Sequence, residues 1–136
     1  MVLCSSDWEE VYADNPGHVS NAAGGPRGGP WNVFVERGGE YEMRLSRWAP
    51  DLNLALTAGR EAQKMTAGQL PVGKAVPIAG ARLMVAGQKL SAPTRPSDTL
   101  AAFRVKLTAK TKLHGWFVDG QGADVCGAFY AVVRLL

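Results

Sequence analysis

From Gly28 to Trp48 the chain reads Gly-Gly-Pro-Trp-Asn-Val-Phe-Val-Glu-Arg-Gly-Gly-Glu-Tyr-Glu-Met-Arg-Leu-Ser-Arg-Trp. Before Gly38-Gly39, Trp31, Val33 and Val35 share one parity and Asn32, Phe34 and Glu36 the other. After it, Tyr41, Met43 and Leu45 alternate with Glu42, Arg44 and Ser46. Successive side chains of a strand point to opposite faces, so a period of two describes strands buried on one side; a helix of 3.6 residues per turn would scatter these apolar residues around its circumference. Paired glycines permit a tight reversal, and the segment reads as two strands closed by a Gly38-Gly39 turn.

The same alternation recurs later. Ala101, Phe103, Val105 and Leu107 alternate with Ala102, Arg104, Lys106 and Thr108 in the cleanest strand of the chain. Thr111-Lys112 reads as a turn into Leu113 to Asp119, and Asp119-Gly120-Gln121-Gly122-Ala123-Asp124 as the next turn, into Val125 to Leu135, so the last three strands form a meander. Val2 to Cys4 reads as a short strand, as do Ala75 to Ile78 and Ala81 to Ala86, whose Pro77 and Gly80 place them at an edge or bend. Asp51 to Gln69 is assigned to a loop despite the alternation of Leu52, Leu54 and Leu56, and Ser91 to Asp98, with Pro93 and Pro96, to an exposed linker. Asp14-Asn15-Pro16-Gly17 is a turn and Gly24 to Pro30 a connector.

No segment has the periodicity of a helix. Eight or nine short strands, joined by segments rich in the 16 Gly and 8 Pro of the chain, predict an all-β fold, an antiparallel β-sandwich of jelly-roll type with long Gly/Pro-rich loops. At 136 residues this is a single domain spanning 1–136, without room for a second catalytic unit.

Charge and composition exclude several roles. The net charge of +3 is small, and its basic residues are interspersed with acids, which argues against a nucleic-acid surface. No run approaches the roughly 18 apolar residues of a membrane helix, so no membrane partner is expected. Met1 to Asp7 lacks the basic and apolar regions of a secretory signal. Cys4 and Cys126 are expected as two reduced, buried thiols rather than a disulfide. His18 and His114 have no second ligand at zinc spacing, and the Asp119 to Asp124 segment reads as turn chemistry in preference to a calcium loop, so no metal or other cofactor is expected.

The pattern Gly29-Pro30-Trp31, an alternating run, Gly39-Glu40-Tyr41 and Leu45-Ser46-Arg47-Trp48 resembles the C-terminal region of bacterial arylsulfatase-type sulfatases, although Ala49 stands between Trp48 and Pro50 where the family continues Arg-Trp-Pro. Gly73 to Ala79, Ala81-Arg82-Leu83 and the closing Leu113, Trp116, Phe117, Asp119, Gly122 and Cys126 to Tyr130 fit the same region, extending the resemblance from about Trp8 to the end. It implies an accessory domain, non-catalytic, that packs against a sulfatase catalytic domain and helps shape its substrate mouth. Sulfatases of this kind act through a formylglycine made from a Cys/Ser-x-Pro/Ala-x-Arg motif beside a calcium ion. Cys4 is followed by Ser5-Ser6-Asp7 and Cys126 by Gly127-Ala128-Phe129, so neither cysteine has that motif. The family is often exported to the periplasm.

Strand parity also selects surface residues. With Tyr41, Met43 and Leu45 inward, Arg44 and Trp48 point outward; with Phe103, Val105 and Leu107 inward, Arg104 and Lys106 do; with Leu113 and Phe117 inward, His114 and Trp116 do. Aromatic and basic side chains together suit stacking on a sugar ring while holding a sulfate or carboxylate. They also suit a protein interface, including self-association, and a loop covering the tryptophans is a third reading. The alternative to an accessory domain is therefore an independent carbohydrate-binding module for sulfated or acidic glycans. Trp31 and Tyr41, on the apolar parity, belong to the core.

Overall fold

The computed structural model describes residues 1–8, 29–58, 63–65, 68–70 and 75–136. The expected turn at Asp14 to Gly17, the connector before Gly29, and both His18 and Arg27 lie outside the described residues. In chain order the strands are β1 (Val2–Cys4), β2 (Trp31–Phe34), β3 (Gly39–Ser46), β4 (Gln63–Met65), β5 (Gly68–Leu70), β6 (Gly80–Val85), β7 (Gln88–Pro93), β8 (Ala101–Leu107), β9 (Lys110–Val118), β10 (Asp124–Gly127) and β11 (Tyr130–Leu135). All pairings are antiparallel.

Two sheets face each other. The first has strand order β1-β11-β3-β8. The second has order β10-β9-β6-β7, with β2 on the same edge of β9 as β10, against its first half where β10 takes its second. The fold is an all-β antiparallel sandwich. Alternation builds it directly: Tyr41, Met43, Leu45, Phe103, Val105, Leu107, Ala131 and Val133 of the first sheet meet Trp31, Val33, Ala81, Leu83, Val85, Leu113 and Phe117 of the second. Each large apolar side chain fully buried here contributes roughly 1.5–3 kcal/mol relative to exposure. Between the sheets, Gly115 leaves space for Leu45: a Cβ there would lie 2.8 Å from Leu45 Cδ1.

Connectivity departs from the sequence expectation at several points. Gly38-Gly39 does not close a hairpin. β2 pairs with β9 in the second sheet and β3 with β8 and β11 in the first, so the glycines carry the chain from one layer to the other. The final strands are not a meander either, because only β9 and β10 form a hairpin. The run expected as one strand from Val125 to Leu135 breaks at Ala128-Phe129, two wholly buried residues, and crosses to the first sheet as β11. Periodicity reports which side of a strand is buried, and both layers of a sandwich bury the same parity.

Smaller corrections follow the same logic. The turn expected at Thr111-Lys112 falls earlier, since β9 begins at Lys110. β6 sits inside its sheet between β9 and β7 rather than at an edge, and Ala75 to Ile78 is not a strand, although Val76 and Ile78 are buried. Ser91 to Pro93, expected as linker, belongs to edge strand β7, and Pro93 is its last residue, a place that tolerates a missing N–H. Ala86 and Gly87 form a two-residue β6–β7 hairpin with φ of 50° and 75°, the left-handed pair that such a turn requires. The expected 51–69 loop contains β4 and most of β5, which pair with each other. Neither cysteine is in a disulfide; Cys126 is buried, and Cys4 is only half-buried.

Candidate functional site

β9 buries Leu113, Gly115 and Phe117, which turns His114, Trp116 and Val118 to the outer side of the second sheet. The rings of His114 and Trp116 lie 4.7 Å apart, tilted by 37°. On the neighbouring β6, Arg82 stands opposite Trp116 and Met84 opposite His114; on the other side Trp116 faces Gly127, which has no side chain to cover the indole. Arg82 reaches across β9 to pair with the Asp124 carboxylate on β10, and it also donates to the Gly122 carbonyl at 3.4 Å. The Arg82 side chain is thereby tied across β9 from the position opposite Trp116 to the start of β10.

Shallow hollows lie toward either end of this row. One, of about 300 Å³, is lined by Pro30, Met84, Lys89, Lys112 and His114. The other, of about 330 Å³, is lined by Arg82, Ser91, Pro93, Val118 and Gly122. Along β6 they are separated by roughly 13 Å, the rise of four strand residues between Gly80 and Met84. An aromatic pair between hollows whose mainly apolar walls carry a few polar side chains can stack a ring and hydrogen-bond its substituents.

The Asp119 to Asp124 turn uses its carboxylates on protein groups. Asp119 Oδ1 accepts the N–H groups of Gln121 at 2.9 Å and Ala123 at 3.0 Å. Asp124 is the partner of Arg82. Among the described residues no three His, Cys, Asp or Glu side chains converge as a metal would need.

Arg44, Arg104 and Lys106 belong to the other side of the molecule, the outer face of the first sheet. Arg104, Glu42 and Arg134 form a row across β8, β3 and β11, and Lys106 stands opposite Glu40. Glu42 accepts Arg44 Nε at 2.6 Å and Arg134 at 3.0 Å. The Arg44 hydrogen bond, with the added fields of Arg44, Arg134 and Arg104, holds the Glu42 carboxyl below the usual carboxylate range. Four cations thus surround two carboxylates, leaving this face basic.

Trp48 is not on the surface. It is 3% exposed and its indole donates to the Ala58 carbonyl at 3.2 Å. The alternation of β3 stops at Ser46, after which Ser46, Arg47 and Trp48 are all buried, because the chain turns back over them toward Ala58. Arg47 lies wholly inside, donating to the same carbonyl at 2.8 Å, with its guanidinium 4.4 Å from the Trp48 ring centre. Burial depresses the Arg47 pKa. It also pushes the Cys126 thiol up to about 12, with the Arg47 charge opposing. A thiol so placed stays protonated and unreactive at neutral pH.

The six residues selected by parity therefore divide: Arg44, Arg104 and Lys106 on one outer face, His114 and Trp116 on the opposite one, Trp48 inside. Strand parity distinguishes inside from outside but not one layer from the other. Arg82, Met84 and Asp124 complete the surroundings of Trp116 and were not selected. Arg82 and Met84 alternate with buried Ala81, Leu83 and Val85, a signal that Gly80 and Pro77 obscured.

No protein-family model and no curated protein matches the chain. Among solved structures, the crystal structure of a ruminal GH26 endo-β-1,4-mannanase is similar in fold, with a TM-score of 0.52 at 13% identity. The match covers 100% of this chain and 26% of that one, so the chain spans about a quarter of the larger enzyme.

Proposed function

We propose that this chain is a non-catalytic accessory β-sandwich, similar to the C-terminal domain of an arylsulfatase, that packs against a catalytic domain or partner and helps shape its substrate mouth. The observation that carries the reading is the outer face of β6 and β9, where His114, Trp116, Arg82 and Met84 form an aromatic and basic surface between two hollows. Trp, Met and Arg are the residues that anchor such contacts, and Met84 is 47% exposed. A fold similar to this one also occurs as part of the larger chain of a mannanase, a setting that agrees with an accessory role.

The outward-facing, half-buried Trp116 also favours a second reading, an independent module for sulfated or acidic glycans. Titration of the purified chain with a sulfated polysaccharide, followed by tryptophan fluorescence, separates the two. A saturable change that disappears in Trp116→Ala supports the independent module, whereas an unchanged spectrum supports the accessory role. Turnover of an aryl sulfate by the purified chain would overturn both.

A further inference from the structure

On the outer side of the first sheet, where β3 ends, the chain from Trp48 to Leu54 and the residues before β8 enclose a cavity of about 150 Å³. Trp48, Leu54, Leu100 and Val132 supply apolar walls, while Asn53 and Thr99 add hydrogen-bonding groups. Arg44 stands at its margin, 42% exposed, and its one bond among the described residues is Nε to Glu42. Both terminal nitrogens remain available there. Its cross-strand neighbours are Ala102 and Val132, too small to screen the guanidinium, and Arg104 and Arg134 stand one row away. An apolar cavity of this volume holds about one six-membered ring. A guanidinium at the margin selects a carboxylate or sulfate, which it can bind through two parallel N–H groups.

We propose that this cavity binds a single six-membered ring bearing one anionic substituent, with Arg44 as the charge partner. The site is on the opposite side of the sandwich from Trp116 and does not depend on the function proposed above. Shape and charge specify the ring and its anion; a sugar acid and an aryl sulfate share that chemistry.

The test is a ¹⁵N-edited NMR titration of the whole chain with glucuronate and with phenyl sulfate, using glucose, phenol and inorganic sulfate as controls. The expected result is saturable shifts at Arg44, Asn53, Leu54, Leu100 and Val132 with at least one anionic ring, the tighter of the two identifying the source. Arg44→Gln should weaken that binding about tenfold or more, the loss of a charged hydrogen-bond partner. Leu100→Trp, which fills the cavity and leaves Arg44 intact, should abolish it. Absence of saturable binding, equal binding of the neutral rings or of bare sulfate, shifts confined to Arg82, His114 and Trp116, or wild-type affinity in either variant would overturn the proposal.

Discussion

The two outer faces of this sandwich are built by the same rule and carry opposite chemistry. On the first sheet the outward positions of β3, β8 and β11 hold Glu42, Arg44, Arg104 and Arg134, which satisfy and repel one another across strands. On the second, β6 and β9 turn out Met84, His114 and Trp116, with the Arg82–Asp124 pair beside them and Lys89 and Lys112 at one hollow. Solvated ion pairs contribute little stability, whereas exposed aromatic area is costly to leave in water unless something covers it. The comparison teaches that the first face holds cross-strand ion pairs with cations in excess and so offers charge, whereas the second gains by covering Met84 and Trp116.

The largest effect should separate two tryptophans that parity places together. Trp48→Ala removes a buried ring and should lower stability by about 3–5 kcal/mol. Trp116→Ala should cost about 1 kcal/mol or less. Urea unfolding measures both, and equal losses would break the distinction between the faces.

Gly115→Val probes the layer between them. Its Cβ would enter the space of Leu45 and Ala128, and overpacking should cost about 1–3 kcal/mol in the same assay.

Glu42→Gln sharpens the description of the ionic face through pH. The native carboxyl titrates below its ordinary value of 4.5, so its stabilising effect is present above that value and lost as pH falls through the native pKa. Wild type should therefore melt above Glu42→Gln near neutral pH, and the two melting temperatures should converge in acid. A gap that persists unchanged in acid would contradict the assignment. Smallest is Ala86→Asn in the β6–β7 turn, beneath one end of the aromatic face: asparagine tolerates the left-handed backbone at φ 50°, and melting should show a gain of up to about 1 kcal/mol.

Much of this architecture was legible in the residues. The alternation of Tyr41 to Leu45 and of Ala101 to Leu107 gave strand positions and inward faces that the structure reproduces. Connectivity was not, because Gly38-Gly39 serves equally as a hairpin turn or as a passage between layers, and Gly127-Ala128-Phe129 carries no polar signal at the crossing. The β6–β7 hairpin hid for a related reason, its turn being Ala-Gly rather than Asn-Gly. For the candidate site, parity found His114 and Trp116, but it missed Arg82, which becomes their neighbour only through the β6–β9 pairing. It misplaced Trp48, since alternation ends where the strand does.

Hydrogen exchange at the four indole N–H groups of the native protein, resolved by NMR, tests most directly whether the sandwich buries Trp8, Trp31 and Trp48 and leaves Trp116 on its outer face. Trp31, bonded to the Cys4 carbonyl at 2.7 Å, and Trp48, bonded to Ala58, should exchange slowly, and Trp8, buried, should also be protected. Trp116, half-buried on the outer face, should exchange fastest of the four. Protection of Trp116 in the isolated chain, or rapid exchange at Trp48, would contradict the two-faced sandwich described for this protein.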